Sequence, residues 1–205
     1  MKARDNLFAV ERIEQIRYKP QGTTLDELLT RLEAMKYSAA IIGSEGSGKT
    51  TLLEDLSTAL EERGKQIKSV FINDTNQMTW KDSRNLFMKI TADQIVLLDG
   101  ADSVSRMTWP ALKRGILTRA AGLIVTAHKP GLMPTLIECT TTSDLFRQIV
   151  SELANSACEL NPGQLDHIYH RHNGNIRTAL RELYDIFAED QALDIIDQPS
   201  YHSQA

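Results

Sequence analysis

A run of glycines, one lysine and two threonines between residues 43 and 51, GSEGSGKTT, constrains the fold of this chain more than any other feature. It follows SAAIIG (38–43), a short run of small and apolar residues that is typical of a buried strand. It leads into KTTLLEDLSTALEERG (49–64), where leucines recur at helical spacing and Gly64 is a helix-ending signal. Because glycine adopts backbone conformations that other residues avoid, the chain can turn here with its amide groups exposed. The pattern predicts a strand–loop–helix unit.

The loop has the composition of a phosphate site. Gly43, Gly48, Lys49 and Thr50 match the spacing G-x-x-x-x-G-K-[ST]. Main-chain N–H groups and the start of the next helix attract anionic oxygens. We expect the lysine to neutralise β- and γ-phosphate charge and the threonine hydroxyl to ligate Mg²⁺. The other predicted nucleotide-binding residues of the loop are Ser44, Glu45, Gly46, Ser47 and Thr51. The alternative is a glycine-rich turn that binds nothing.

Apolar strands and amphipathic helices alternate along much of the chain. Further strands are predicted at 67–74, 94–100, 122–128 and 135–140, and further helices at 24–35, 79–91 and 108–120. Strands separated by helices of this length pair in parallel through right-handed crossovers. The predicted fold class is therefore α/β, a three-layer arrangement with a mainly parallel sheet flanked by helices, followed by a small C-terminal helical lid.

The pattern becomes purely helical after residue 142, with helices predicted at 143–154, 161–173 and 175–190. We therefore predict a core domain of residues 1–142 and a helical lid subdomain of residues 143–190. Residues 191–205 are acidic and then polar, so we expect them to form a frayed tail.

An acidic residue should end a buried strand near the loop, because Mg²⁺ bound to phosphates is held by such a residue as well as by the threonine. The stretch IVLLDGAD supplies Asp99 after four apolar residues. Many ATPases of this kind carry a water-activating glutamate at the next position, which here is Gly100. Asp102 is the nearest other carboxylate and a candidate for positioning the attacking water. Its alternative role is to cap the next helix.

Two further stretches supply polar candidates. LIVTAH (123–128) places Thr126 and His128 at the end of a strand expected beside that of Asp99. His128 would orient water or sense the γ-phosphate, or else be an ordinary loop residue. GNIRTAL (174–180) places Arg177 in the first turn of a helix, where it would reach a nucleotide bound in the core or lie on the helix surface.

Together these residues resemble the AAA+ and STAND class of P-loop ATPases, most closely the branch of origin-recognition, transposition-regulator and secretion ATPases. The chain also resembles short, uncharacterised bacterial ATP-binding proteins. GSEGSGKT is similar to Walker A, IVLLDGAD to Walker B, LIVTAH to the sensor-1 strand, and GNIRTAL to the sensor-2 arginine helix of a lid. The resemblance implies that ATP and Mg²⁺ are the ligands. It also implies that residues 1–23, which include DNLFAVERIE, pack near the nucleotide base.

One departure from this class bears on assembly. AAA+ rings usually carry a helix after the sensor-1 strand, ending in an arginine that reaches a neighbour's nucleotide. Here that stretch is only KPGLMP (129–134), which is too short for a helix. Arg114 and Arg119 on the preceding helix are substitutes for that arginine, or belong to a solvated face. Rings, dimers and monomers therefore remain open.

Composition narrows the class of protein. The formal net charge of −4 argues against mainly electrostatic binding to nucleic acid, although nucleic acid stays possible as a partner. No apolar run approaches the ~20 residues that span a bilayer, and the N-terminus lacks the pattern of a secretory signal. We expect the two cysteines, Cys139 and Cys158, to be buried in a reducing compartment. These features predict a cytoplasmic protein with no membrane partner.

The predicted function is ATP binding with Mg²⁺-dependent hydrolysis, coupled to lid movement and acting as a motor or switch on a protein partner. Gly100 favours an alternative, a slow or non-hydrolysing ATP-dependent switch. A second alternative is a small-molecule kinase, with Asp74 near its substrate and with Arg171 and Arg177 in a closing lid. No guanine-specific Asn-Lys-x-Asp stretch occurs, which favours ATP over GTP.

Overall fold

A computed structural model describes residues 6–13, 16–18, 20, 22–73, 79–154 and 161–196. These residues form two compact units. One consists of residues 17–140, the α/β unit. The other combines the described residues of 1–16 and 141–205, the helical unit.

The α/β unit is built on a five-stranded sheet with the strand order β2-β3-β4-β1-β5. The strands are β1 (Ser38–Gly43), β2 (Gln66–Phe71), β3 (Gln94–Asp99), β4 (Gly122–Ala127) and β5 (Thr135–Cys139). Every neighbouring pair is parallel. The predicted α/β class with a parallel sheet is therefore confirmed.

Eight α-helices lie in the described residues. They are α1 (Val10–Ile13), α2 (Leu25–Ala34), α3 (Lys49–Glu62), α4 (Trp80–Lys89), α5 (Trp109–Leu117), α6 (Ser143–Ala154), α7 (Pro162–Arg171) and α8 (Ile176–Ile196). Local signals predicted several of their ends. Thr24 and Glu27 form a capping box at the start of α2, and Gly64 adopts a positive φ just after α3. No helix among the described residues is long and apolar enough to cross a membrane.

Alternate side chains of the strands fill two cores, one on each face of the sheet. Ile41 and Ile124 pack with leucines of α2 and α3, including Leu56. Val96 and Val125 pack on the opposite face with residues of α4 and α5. Each buried leucine or isoleucine stabilises the fold by about 1.5–3 kcal/mol, so burial on both faces commits the sheet to the middle layer. This is the predicted three-layer arrangement.

The strand register decides which residues meet at the carboxyl edge of the sheet. Leu98 pairs with Val125, so the next residues of β3 and β4, Asp99 and Thr126, lie at the same level. Ile42 pairs with Ala127, so the residue after β4, His128, lies level with the end of β1. The strand order places β4 between β3 and β1. The glycine loop after β1 and the acidic end of β3 therefore flank His128.

The helical unit has its own core, in which Phe146 and Leu183 are fully buried. The N-terminal segment belongs to this unit: Phe8 is buried and its ring lies 5.2 Å from that of Phe187, centroid to centroid. The Asn6 side chain donates a hydrogen bond to the Tyr184 carbonyl at 3.0 Å. The predicted core domain of residues 1–142 included this segment. Its contacts are with residues far along the chain, and no local sequence pattern indicates them.

The last helix is longer than the sequence pattern indicated. α8 continues to Ile196, beyond the predicted lid end at residue 190. No glycine or proline interrupts the chain between Gly174 and Pro199, so nothing in the local sequence stops the helix earlier. Residues 197–205 lie outside the described residues.

Candidate functional site

The loop after β1 requires glycine at two of its motif positions. Gly48 has a φ of 88° and occupies the N-cap position of α3. Gly43 has a φ of 153°, and a Cβ there would collide with the carbonyl oxygen of Cys139. A side chain at position 43 would therefore displace main-chain atoms, and one at position 48 would displace the Tyr18 ring and strain the backbone. We call residues 43–50 the glycine loop.

The Lys49 side chain turns back over the glycine loop. Its Nζ donates hydrogen bonds to the carbonyl oxygens of Gly43 at 2.9 Å and Ser44 at 2.7 Å. Burial lowers the pKa of Lys49, and nearby acidic groups, among them Asp102 and Asp99, partly offset that effect. The amine is thus held at the centre of the loop, within electrostatic reach of both aspartates.

The remaining loop residues line a small polar surface. Ser47 is buried, and its Oγ is the buried side-chain atom that has no hydrogen-bond partner among the described residues. Ser44 and Glu45 are exposed, Gly46 has a φ of 70°, and Thr51 is half-buried in the first turn of α3. An unsatisfied buried hydroxyl beside glycine amides and a lysine fits a site that takes an anionic ligand.

Asp99 is held by two hydroxyl groups. Thr50 Oγ1 donates to Asp99 Oδ2 at 3.0 Å, which joins the glycine loop to the end of β3. Thr126 Oγ1 donates to Asp99 Oδ1 and accepts a hydrogen bond from the Gly100 N–H at 2.8 Å. Thr126 is 1% exposed and is fully engaged by these two contacts. It therefore orients Asp99, and its hydroxyl is committed to that contact.

Asp102 and His128, which are 26 residues apart, also meet at this edge. His128 Nδ1 lies 2.9 Å from Asp102 Oδ2. The same oxygen accepts a hydrogen bond from the His128 main-chain N–H. Asp102 lies in a short 3₁₀ helix, Ala101–Ser103, and the N-cap of α5 is Thr108, so the alternative of Asp102 as a cap for α5 is wrong. We call Asp99, Asp102, Thr126 and His128 the acidic edge.

The structure explains why glycine follows Asp99. Gly100 has a φ of 84°, and a Cβ at this position would strike the main-chain oxygen of Ile72. A glutamate would therefore require the end of β3 to move away from the segment that follows β2. The Ile72 N–H is bonded to the Asp99 carbonyl at 2.9 Å, which keeps these two segments close.

Sequence reasoning missed Tyr18. Its ring packs on Gly48, with Cδ2 2.5 Å from where a Cβ would stand. Burial is the main cause that raises the pKa of Tyr18, and the Cys139 thiol contributes to the same rise. Burial likewise raises the pKa of Cys139, whose predicted burial is confirmed, whereas Cys158 lies outside the described residues. In the sequence, the available signal for Tyr18 was its position as an aromatic residue shortly before the first long helix.

The predicted arginines lie on other elements. Arg177 is exposed in the first turn of α8, after Asn175, whose side chain accepts from the Thr178 N–H. It belongs to the helical unit, and its action on a nucleotide stays a prediction. Arg171 is ion-paired with Glu182 at 2.5 Å. Asp74, the other residue of the kinase alternative, lies outside the described residues.

The two arginines considered for assembly lie on or beside α5. Arg114 is exposed in the last turn of this helix. Arg119 donates to the Gly115 carbonyl at 2.9 Å and stacks over the Phe87 ring at 5.2 Å. Arg119 therefore has local partners within the α/β unit.

No family model matches this chain, and neither does any curated protein. Its fold matches solved structures of RuvB from Thermotoga maritima. The structure titled as the Holliday junction branch migration motor is 18% identical, with a TM-score of 0.54, and the match covers 79% of this chain and 60% of that chain. A variant of the same protein is 17% identical, with a TM-score of 0.54 and coverages of 81% and 64%. The chain thus spans less than two thirds of the RuvB length, and the likeness shows that the two proteins share a fold.

Proposed function

We propose that this chain binds ATP in the glycine loop and hydrolyses it with Mg²⁺. The observation that carries this proposal is the hydrogen bond from Thr50 Oγ1 to Asp99 Oδ2 at 3.0 Å. It places the two predicted Mg²⁺ ligands, 49 residues apart in sequence, side by side at the sheet edge. Hydroxyl and carboxylate oxygens are the ligands that Mg²⁺ takes from proteins.

The donor set fits a nucleotide triphosphate. Lys49, the free hydroxyl of Ser47 and the loop amides would hold the phosphates, and Thr50 and Asp99 would hold Mg²⁺. The metal ion would neutralise the negative charge that develops on the phosphate oxygens. Phosphoryl transfer depends mainly on such positioning and charge stabilisation, so a few fixed groups are sufficient for activity. Because the sequence contains no guanine-specific Asn-Lys-x-Asp stretch, we propose ATP rather than GTP as the nucleotide.

A motor or switch role extends this proposal to the helical unit. Arg177, exposed in the first turn of α8, is our candidate for the group that couples this unit to the nucleotide. The solved structure with a similar fold is titled a branch migration motor, which makes a protein or nucleic-acid partner reasonable. We place the chain in the origin-recognition, transposition-regulator and secretion branch on its motifs alone.

The slow switch remains the second candidate, and Gly100 is the observation that favours it. A Cβ at this position would meet the Ile72 carbonyl, so a glutamate would require main-chain movement, and the chain carries no water-activating carboxylate directly after Asp99. Such a protein would bind ATP tightly and act by presenting different surfaces in its nucleotide states.

Nucleotide binding and phosphate release should be measured with Lys49→Ala and a matched surface control, Lys89→Ala. Lys89 is an exposed residue in the last turn of α4. We expect Lys49→Ala to lower phosphate release by at least about 10²-fold, because a charge-stabilising group is lost. The control should retain the wild-type rate. Equal ATP binding by wild type and Lys49→Ala would contradict the site, and tight binding without turnover in wild type would support the switch.

A further inference from the structure

The position of the Asp102 carboxylate indicates which ring nitrogen of His128 is available. Asp102 Oδ2 accepts the main-chain N–H of His128 and lies 2.9 Å from its Nδ1. A carboxylate only accepts hydrogen bonds, so this contact favours the tautomer in which Nδ1 carries the ring proton. Nε2 is then the nitrogen with a free lone pair. The Asp102 side chain is used to fix this ring, which makes Asp102 a positioning group.

The register places His128 between the glycine loop and the acidic end of β3. β4 lies between β3, which ends at Asp99, and β1, which continues into the glycine loop. His128 follows β4 directly and is level with the end of β1. Lys49, which would hold a γ-phosphate, and Thr50 and Asp99, which would hold a metal ion, belong to the loop and the strand end on either side of His128. The His128 side chain is 53% exposed, so water reaches it.

The electrostatic surroundings suit a base. Asp102 and Asp99 both act on the charge of Lys49, so these three groups share one region of the site. Neither Gly100 nor Thr126 can take this role, since one has no side chain and the hydroxyl of the other is committed to Asp99 and Gly100.

We propose that His128 is the general base of ATP hydrolysis and that Asp102 positions it. His128 would replace the water-activating glutamate, whose usual position is occupied here by Gly100. This inference rests on the proposed function. The water oxygen bonds to the γ-phosphorus as a water proton passes to Nε2. The bond between that phosphorus and the bridging oxygen breaks, and its electron pair stays on ADP. The proton then leaves Nε2 for solvent, which restores the neutral ring.

Removal and replacement of the imidazole test the base directly. We expect His128→Ala to lower kcat by about 10²- to 10⁴-fold, with ATP affinity changed less than about threefold. Added free imidazole should restore part of the lost rate, because the exposed position leaves room for it. His167→Ala, which removes a histidine of the helical unit, should keep the wild-type rate and show no response to imidazole. A loss in His128→Ala that imidazole does not relieve would overturn the assignment.

A double-mutant cycle tests the role of Asp102. Asp102→Asn can donate to Nδ1 and so favour the wrong tautomer, and we expect a loss in kcat of at least about tenfold. If Asp102 acts only through His128, Asp102→Asn combined with His128→Ala should be no slower than His128→Ala alone. If the kcat losses of the two single variants instead multiply in the double variant, Asp102 contacts the attacking water itself, and the proposed pairing is overturned.

ATP binding, measured in the same variants with a fluorescent ATP analogue and Mg²⁺, separates the two proposals. Wild type that binds no nucleotide would contradict the ATP site and the base together. Wild type that binds ATP but releases no phosphate would overturn the base assignment and leave the nucleotide site intact. Turnover with full activity in His128→Ala would overturn only the base.

Discussion

The glycine loop and the acidic edge lie side by side, yet they are constructed in opposite ways. The glycine loop depends on backbone conformations that glycine allows, and its lysine bonds to main-chain oxygens within six residues of itself. The acidic edge depends on side chains that reach across strands, with partners 26 to 49 residues apart. One is a property of a short peptide, and the other is a property of the sheet.

This difference teaches where each region is vulnerable. A change at Lys49 in the glycine loop should affect ligand binding more than folding, since its half-buried amine bonds to main-chain oxygens of the same loop. A change at the acidic edge should affect folding as well, because Thr126 is buried and ties β4 to β3.

The largest effect on stability is expected from Gly100→Ala. The substitution adds a Cβ against the Ile72 carbonyl at a φ of 84°. We expect the free energy of unfolding to fall by about 3–5 kcal/mol, because main-chain atoms must move in addition to the cost of the positive φ. Urea unfolding would measure this change.

Gly64→Ala is the matched control for that experiment. Gly64 has a φ of 76°, and beyond its chain neighbours no atom lies within 4 Å of where a Cβ would stand. The substitution should therefore cost only about 1 kcal/mol, the backbone term alone. Equal losses in the two variants would show that contact with Ile72 is not the reason for glycine at position 100.

A smaller loss is expected from Thr126→Val. This near-isosteric change leaves the Gly100 N–H and Asp99 Oδ1 without their partner, and we expect a loss of about 2 kcal/mol in the free energy of unfolding. Thr126→Ser, which keeps the hydroxyl, should recover about half of it. Thr50→Val in the glycine loop should cost less than about 1 kcal/mol, because its hydroxyl is not fully buried. The contrast between the two regions fails if Thr50→Val is the more costly in urea.

The smallest effect concerns Tyr18 at high pH. Burial, with a contribution from the Cys139 thiol, raises the pKa of Tyr18, so in the folded chain it stays neutral where an unfolded tyrosine ionises, at about pH 10. Its contribution to stability is present below that pH and is lost as pH rises above it. The slope is at most about 1.4 kcal/mol per pH unit, and less here because the ring is partly exposed.

Urea unfolding from about pH 9 to 11, compared between wild type and Tyr18→Phe, would detect this dependence. We expect the stability of the phenylalanine variant to fall less steeply with pH than that of wild type, because the variant lacks the group that ionises only in the unfolded chain. Parallel curves for the two proteins would indicate that the hydroxyl is as free to ionise in the folded chain as in the unfolded one.

The sequence predicted what is encoded locally. The glycine loop, most strand and helix bounds and the capping box at Thr24 depend on residues close to one another in the chain. Asp99 was found because a run of apolar residues precedes it. The partners of Asp102 and His128 were not predicted, since 26 residues separate them and only the parallel register brings them together. Tyr18 and the placement of Phe8 depend in the same way on contacts with distant residues.

The lysine of the glycine loop has a consequence for selectivity. Its amine already has two acceptors in the carbonyl oxygens of Gly43 and Ser44. An arriving phosphate therefore exchanges neutral acceptors for anionic ones and adds few new hydrogen bonds to this amine. The gain comes from charge, since bonds to an ionised acceptor are about twice as strong as neutral ones. The loop should thus rank ligands by the negative charge they bring to Lys49, and a neutral mimic of the same shape should compete poorly with the lysine's own backbone partners.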